Sequence, residues 1–202
     1  MRISQGTLAW LMVAGLSIPA VAGNKPKTEP GKYTQWGEND FDELEVVEAF
    51  KFADYVGVAI APLDVSKVPP RSDNEAKNVQ EAIGGVDASF LVGLKKGVSS
   101  YSKTPVQAGS GSGHALLIKG QVIELDPGSR SARWAAGMGA GATRAKITGE
   151  VAEADTGKVL LRFTHEKRAG SGMGFAGGNS KNLMLKSAEH VGEDLGKVFK
   201  AF

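Results

Sequence analysis

The chain has 202 residues, 42% hydrophobic and 23% charged, with a net charge of +2, three histidines and no cysteine. The missing cysteine excludes disulfides, thiol nucleophiles and thiolate metal centres. The length suits one domain of ordinary size, and no block of like charges reaches the five or six residues of a binding tail, so no nucleic-acid partner is expected.

The first 22 residues read as a cleavable secretory signal peptide. Arg2 supplies a positive charge, Leu8 to Ile18 an apolar run, and Ala20-Val21-Ala22 a small-x-small site, so cleavage is expected between Ala22 and Gly23. The run falls short of the ~20 residues that span a bilayer, and no second such run follows, so no membrane span is expected. A bacterial lipoprotein anchor needs a cysteine at the cleavage point, and there is none. The expected location is therefore periplasmic or secreted.

Residues 23–51 read as a flexible, acidic lead-in. The first part is rich in Lys, Pro, Thr and Gly without an apolar period, and acids crowd the stretch from Glu38 to Asp54, whereas basic residues dominate from Lys95 onward. The acidic arm is expected to lie against the basic half; the alternative is that the basic half meets an anionic envelope polymer.

Residues 52–202 read as a single envelope domain. Around Tyr55 to Pro62, Val56, Val58 and Ile60 alternate with small residues, which predicts a strand covered on both faces. Ser72 or Asp73 caps a helix from about Asn74 to Lys96 whose apolar face is Val79, Ile83, Val86, Phe90 and Leu94, interrupted at Gly84-Gly85 by a bend or a close backbone contact. Three strands follow, over His114–Asp126, Thr143–Ala154 and Lys158–His165, the last two joined through Asp155-Thr156-Gly157 as an antiparallel hairpin. Asn179 or Ser180 caps a final helix with the stripe Met184, Ala188, Val191, Leu195, Val198 and Phe202. This is an α+β fold, a β-α-β-β-β-α two-layer sandwich with a mixed sheet and the helices on one face.

Motifs of catalysis and cofactor binding are weak. Gly137 to Gly141 precedes a predicted strand rather than a helix, and Gly170 to Gly174 lacks the Lys-Ser/Thr pair of a phosphate loop, so no cofactor is expected. The Gly-x-Ser-x-Gly letters of Gly109 to Gly113 also precede a strand, and His114, His165 and His190 lack metal-ligand spacing, so no catalytic or metal residue is assigned. Asp64, Asp126 and Asp155 fall at strand ends, where aspartate serves turns. The unusual cluster is Arg130, Arg133 and Trp134, two guanidiniums and an indole in one connection, suited to binding an anion or a partner chain.

The run Ile118 to Glu124, Asp126-Pro127-Gly128-Ser129, Arg133-Trp134, Gly137 to Gly141 and Asp155 to Leu160 resembles the domain of unknown function 4410 family of bacterial secreted and lipoprotein-like proteins, over about Phe52 to Phe202. The resemblance implies an α/β envelope domain similar to those of curli-secretion lipoproteins, penicillin-binding-protein activators and the N-terminal part of the Tol-Pal periplasmic component, which are assembly and partner-binding modules. It brings no catalytic residue. The expected function is thus a non-catalytic periplasmic envelope protein that binds an envelope protein or associates with itself; the alternative is a hydrolase or small-ligand-binding protein with a pocket near His114 and Arg130 to Trp134.

Overall fold

The structure is a computed structural model, and it describes residues 27–37, 41–129, 131–132, 141–170 and 179–202. The proposed signal peptide and cleavage site lie outside the described residues.

Among the described residues, seven strands form one mixed sheet: β1 (Gly31–Trp36), β2 (Phe41–Val46), β3 (Val58–Ile60), β4 (Val106–Ala108), β5 (Leu116–Asp126), β6 (Thr143–Glu153) and β7 (Val159–Ala169), in the order β1-β2-β7-β6-β5-β3-β4. β3 runs parallel to β4 and β5, and the other pairings are antiparallel. Helices α1 (Ala76–Ile83), α2 (Val86–Ser99) and α3 (Ser180–Val198) pack on one face, which confirms the expected α+β sandwich.

The period of two in β6 and β7 sends Ala145, Ile147, Val151, Leu161 and Phe163 to the helix side, where all are buried. They meet Met184, Ala188, Val191 and Leu195 of α3, and Phe90, Leu94 and Val98 of α2, in one core. Asn179 caps α3, its side-chain oxygen accepting the Lys181 N–H at 2.8 Å. The long predicted helix is two helices, because the chain breaks at Gly84-Gly85; a Cβ on Gly85 would press on both Leu185 methyls at 3.2 Å, so the break admits a side chain of α3.

α2 and α3 approach one another at backbone distance. Gly93 and Gly97 of α2 lie against the carbonyls of Glu189 and Glu193, while Gly192 and Gly196 of α3 lie against Phe90 and Leu94. A Cβ at Gly196 would stand 2.8 Å from the Leu94 carbonyl oxygen and 2.9 Å from the Gly97 Cα. Glycines that weaken each helix by ~1 kcal/mol apiece thus permit a contact that larger residues forbid.

The lead-in reading fails for residues 31–36 and 41–46, which form the antiparallel pair β1 and β2 at one end of the sheet. Leu44 and Val46 alternate inward with Glu43 and Glu45 outward, a short strand signal masked by the acidic composition. The expected meeting of acidic arm and basic half does occur: Arg162 lies 3.2 Å from Glu45, Lys158 reaches Glu48, and His165 reaches Asp42. β7 also runs four residues beyond its predicted end, because β6 supplies partners along them, from Lys146 opposite Glu166 to Thr143 opposite Ala169. Behind the hairpin, Phe202 stacks between Trp36 and Phe50, which fastens the end of the chain to the same edge.

Candidate functional site

Alternation leaves the outward side chains of β5, β6, β7, β2 and β1 on the sheet face opposite the helices, and strand register arranges them in rows. One row is Lys119, Glu150, Arg162, Glu45 and Lys32, in which the sign of charge alternates at every step. The next is Gln121, Thr148, Thr164, Glu43 and Thr34. A third is Glu124, Lys146 and Glu166, again alternating, and a bulge between Val122 and Glu124 keeps Glu124 on this face.

The first two rows, with Asp64 beside them, line an open concavity of about 680 Å³. The centre of its floor is neutral and hydrogen-bonded: the Thr148 hydroxyl donates to the Phe163 carbonyl at 2.9 Å and lies 3.1 Å from the Thr164 hydroxyl. Gln121 donates its side-chain N–H to Asp64. Hydrogen bonds from the Ser66 backbone and hydroxyl, then from Gln121, hold the Asp64 carboxyl below its usual range. Around the floor, charges pair loosely, Lys32 to Glu45 at 3.9 Å and Lys119 to Glu150 at 4.0 Å, with Lys32 and Lys119 more than half exposed. Charges held this way remain available to a second surface.

A second polar cluster lies on the helix side, with His165 and Asp194 buried and Asp42 and Lys167 partly exposed, and sequence reasoning missed it. His165 is 1% exposed and lies between two carboxylates: Nδ1 is 2.9 Å from Asp42 Oδ2 of β2, and Nε2 is 3.3 Å from Asp194 Oδ2 of α3. The Phe41 ring stacks on it at 4.1 Å. Lys167 Nζ reaches Asp194 at 2.7 Å. Burial pushes the Asp194 carboxyl up, but the hydrogen bonds from His165 and Lys167 outweigh it and bring the group down to about 2. The groups stand in a line rather than around a common point, so the cluster ties hairpin, sheet and helix together. The signal available was that His165 continues the inward register of Leu161 and Phe163.

Of the residues singled out from sequence, Arg130, Arg133 and Trp134 lie outside the described residues, as do Gly137 to Ala140 and Ser171 to Gly174. The described neck of that connection is tight: Gly128 has φ +62° and backs onto Gly141 and Ala142, and Ser129 N–H donates to the Gly141 carbonyl at 3.1 Å. His114 stacks on Tyr55 at 4.7 Å, with Nδ1 3.9 Å from Asp155, and does not line the concavity. Gly109 to Gly113 is a loop between β4 and β5. Asp64, Asp126 and Asp155 each accept a backbone N–H one or two residues on, as turn aspartates do.

The family described as domain of unknown function (DUF4410) matches residues 58–172, more than half of the chain. The chain belongs to that family. The match begins at β3 and ends just past β7, so the β1–β2 hairpin and α3 lie outside it. Among solved structures, the chain is similar to the PelC dodecamer from Paraburkholderia phytofirmans, at 13% identity and a TM-score of 0.44 over 76% of this chain and 94% of that one. It is also similar to a Xanthomonas campestris protein assigned to another family, DUF330, at 15% identity and a TM-score of 0.36 over 73% of this chain and 85% of that one. No curated protein matches the chain. Among the described residues, no helix is long and apolar enough to cross a membrane.

Proposed function

We propose that the chain is an exported envelope protein that acts without catalysis, by binding a partner protein or assembling with itself, and that the open sheet face is its contact surface. The observation that carries this reading is the ordered polar face itself: rows of side chains spanning five strands, around a concavity, opposite the helices. Sign alternation along the rows favours a protein surface of matching pattern over a uniformly anionic polymer. The leader with Arg2, the apolar run and Ala20-Val21-Ala22 supports export. The chemistry of Arg130, Arg133 and Trp134, between β5 and β6, supports assigning them to partner contact as well.

The absence of native cysteine makes a direct test available. Thr148→Cys, at the centre of the face, is introduced into the full-length gene, and a thiol-directed cross-linker is applied to intact cells. Val92→Cys, on the exposed side of α2, is the control. The expected result is an adduct above the mass of the chain from Thr148→Cys and none from Val92→Cys; equal labelling of both sites, or no adduct from either, counts against the reading. Mass spectrometry of the recovered protein tests export, which requires a mature form beginning at Gly23.

A further inference from the structure

The two charged rows, either side of Gln121, Thr148 and Thr164, carry a symmetry that points to one occupant of the face. On β6, Glu150 and Lys146 stand two residues either side of Thr148; on β7, Arg162 and Glu166 stand two residues either side of Thr164. On β5, Lys119 and Glu124 flank Gln121, the bulge restoring Glu124 to the row of Lys146. On all three central strands the two charges that flank the neutral row are therefore opposite in sign.

We infer that the face is self-complementary and receives a second copy of this chain across a two-fold axis lying along the row Gln121, Thr148 and Thr164. Such an axis reverses direction along the strands and leaves position across the sheet unchanged. It sets Lys119 over Glu124 of the partner subunit, Glu150 over the partner's Lys146, and Arg162 over the partner's Glu166, each pair occurring twice, as an isologous contact requires. A two-fold axis along β6 instead would set Lys119 over Arg162 and Glu124 over Glu166, with Glu150 and Lys146 each over its own copy, like charge on like throughout; the axis along the row sets only Glu43 and Asp64, at the two ends of the row, over their own copies, so the three central strands select it. The selected arrangement aligns the strands of the two sheets, which is a common way for sheets to pack face to face.

Five strands at about 4.8 Å and five or six residues at about 3.3 Å make a footprint of about 400 Å² on each copy. A polar contact of that size is a weak, reversible one. Its attraction comes from exposed charge pairs and is weakened by salt.

This inference rests on the reading of the open face as a contact surface, and its test separates the two. Protein purified from cells expressing the full-length gene is examined by sedimentation velocity over a concentration series, at low and high salt. The wild type is expected to dimerise with concentration, with affinity falling roughly tenfold or more as salt rises. Lys146→Glu sets a carboxylate over the partner's Glu150, and Glu150→Lys sets an ammonium over the partner's Lys146, so each variant alone is expected to be monomeric. Mixed together, the two variants restore opposite charges across the axis and are expected to form a one-to-one heterodimer. Circular dichroism and urea midpoints close to those of the wild type establish that both variants are folded. A wild type that stays monomeric, a dimer indifferent to Lys146→Glu, or variants that fail to associate when mixed would overturn the inference. If the wild type is monomeric while Thr148→Cys still captures another protein in cells, only the second copy is refuted; if Thr148→Cys captures nothing, the reading of the face falls too.

Discussion

The two faces of the sheet are made from the same alternating strands and held by opposite means. On the helix side, Ile147, Val151, Leu161 and Phe163 meet α3, and α2 and α3 come so close through Gly93, Gly97, Gly192 and Gly196 that no Cβ fits between them. On the open side, charges at 3 to 4 Å pair across strands in contact with water. The first face is intolerant of a single added or removed group, because dispersion and exclusion of water depend on close packing. The second tolerates change in stability, because exposed ion pairs contribute little, and so its pattern is free to serve contact with another surface.

The largest break in this contrast is expected from Phe90→Ala, since Phe90 is fully buried where α2 meets α3. Urea denaturation is expected to show a loss of about 3–5 kcal/mol; a loss below 1 kcal/mol would mean that the helix layer relaxes around the cavity. Next comes Gly97→Val, which forces branched carbon into the Glu193 backbone and is expected to remove about 3 kcal/mol by overpacking. Gly84→Ala makes a useful control, because the contact noted there is an ordinary 3.6 Å from the Glu81 carbonyl oxygen.

The buried cluster sharpens the comparison through pH. Asp194 has a folded pKa lowered from 3.8 to about 2, so its contribution is complete above the unfolded value and disappears as pH falls toward the folded one. A contribution of about 2 kcal/mol is expected to be lost between about pH 5 and pH 2. Asp194→Asn is expected to flatten that part of the stability profile; a profile of unchanged slope would remove Asp194 as its source. The smallest effect is expected on the open face, where Glu45→Ala, despite touching both Lys32 and Arg162, should change stability by no more than about 0.5 kcal/mol. A loss above 1.5 kcal/mol in the urea midpoint analysis would show that the open face is structural, and would erase the contrast.

Part of the candidate face was legible beforehand. The outward positions of Arg144, Lys146, Thr148 and Glu150, and of Arg162 and Thr164, follow from alternation in β6 and β7. Glu43 and Glu45 were hidden because their strand is short and its acids resemble a solvated arm. Glu124 was hidden because only the bulge returns it to the row. The His165 cluster unites positions that lie 123 and 29 residues apart, beyond any local period.

By itself, the sequence determined the period-two strands β6 and β7, the Asp155-Thr156-Gly157 hairpin and the capped, striped helix α3. Each depends on residues close enough in the chain to share one turn, one strand or one helix face. Only the tertiary structure decided that residues 31–36 and 41–46 complete the sheet, that four glycines are contacts between helices rather than weak points within them, and that charges of alternating sign fall into rows. Those outcomes depend on which strand lies beside which, in what register, and on how near two backbones come. Local propensity carries no information about these distances; they are set when the burial of one apolar face brings distant segments together.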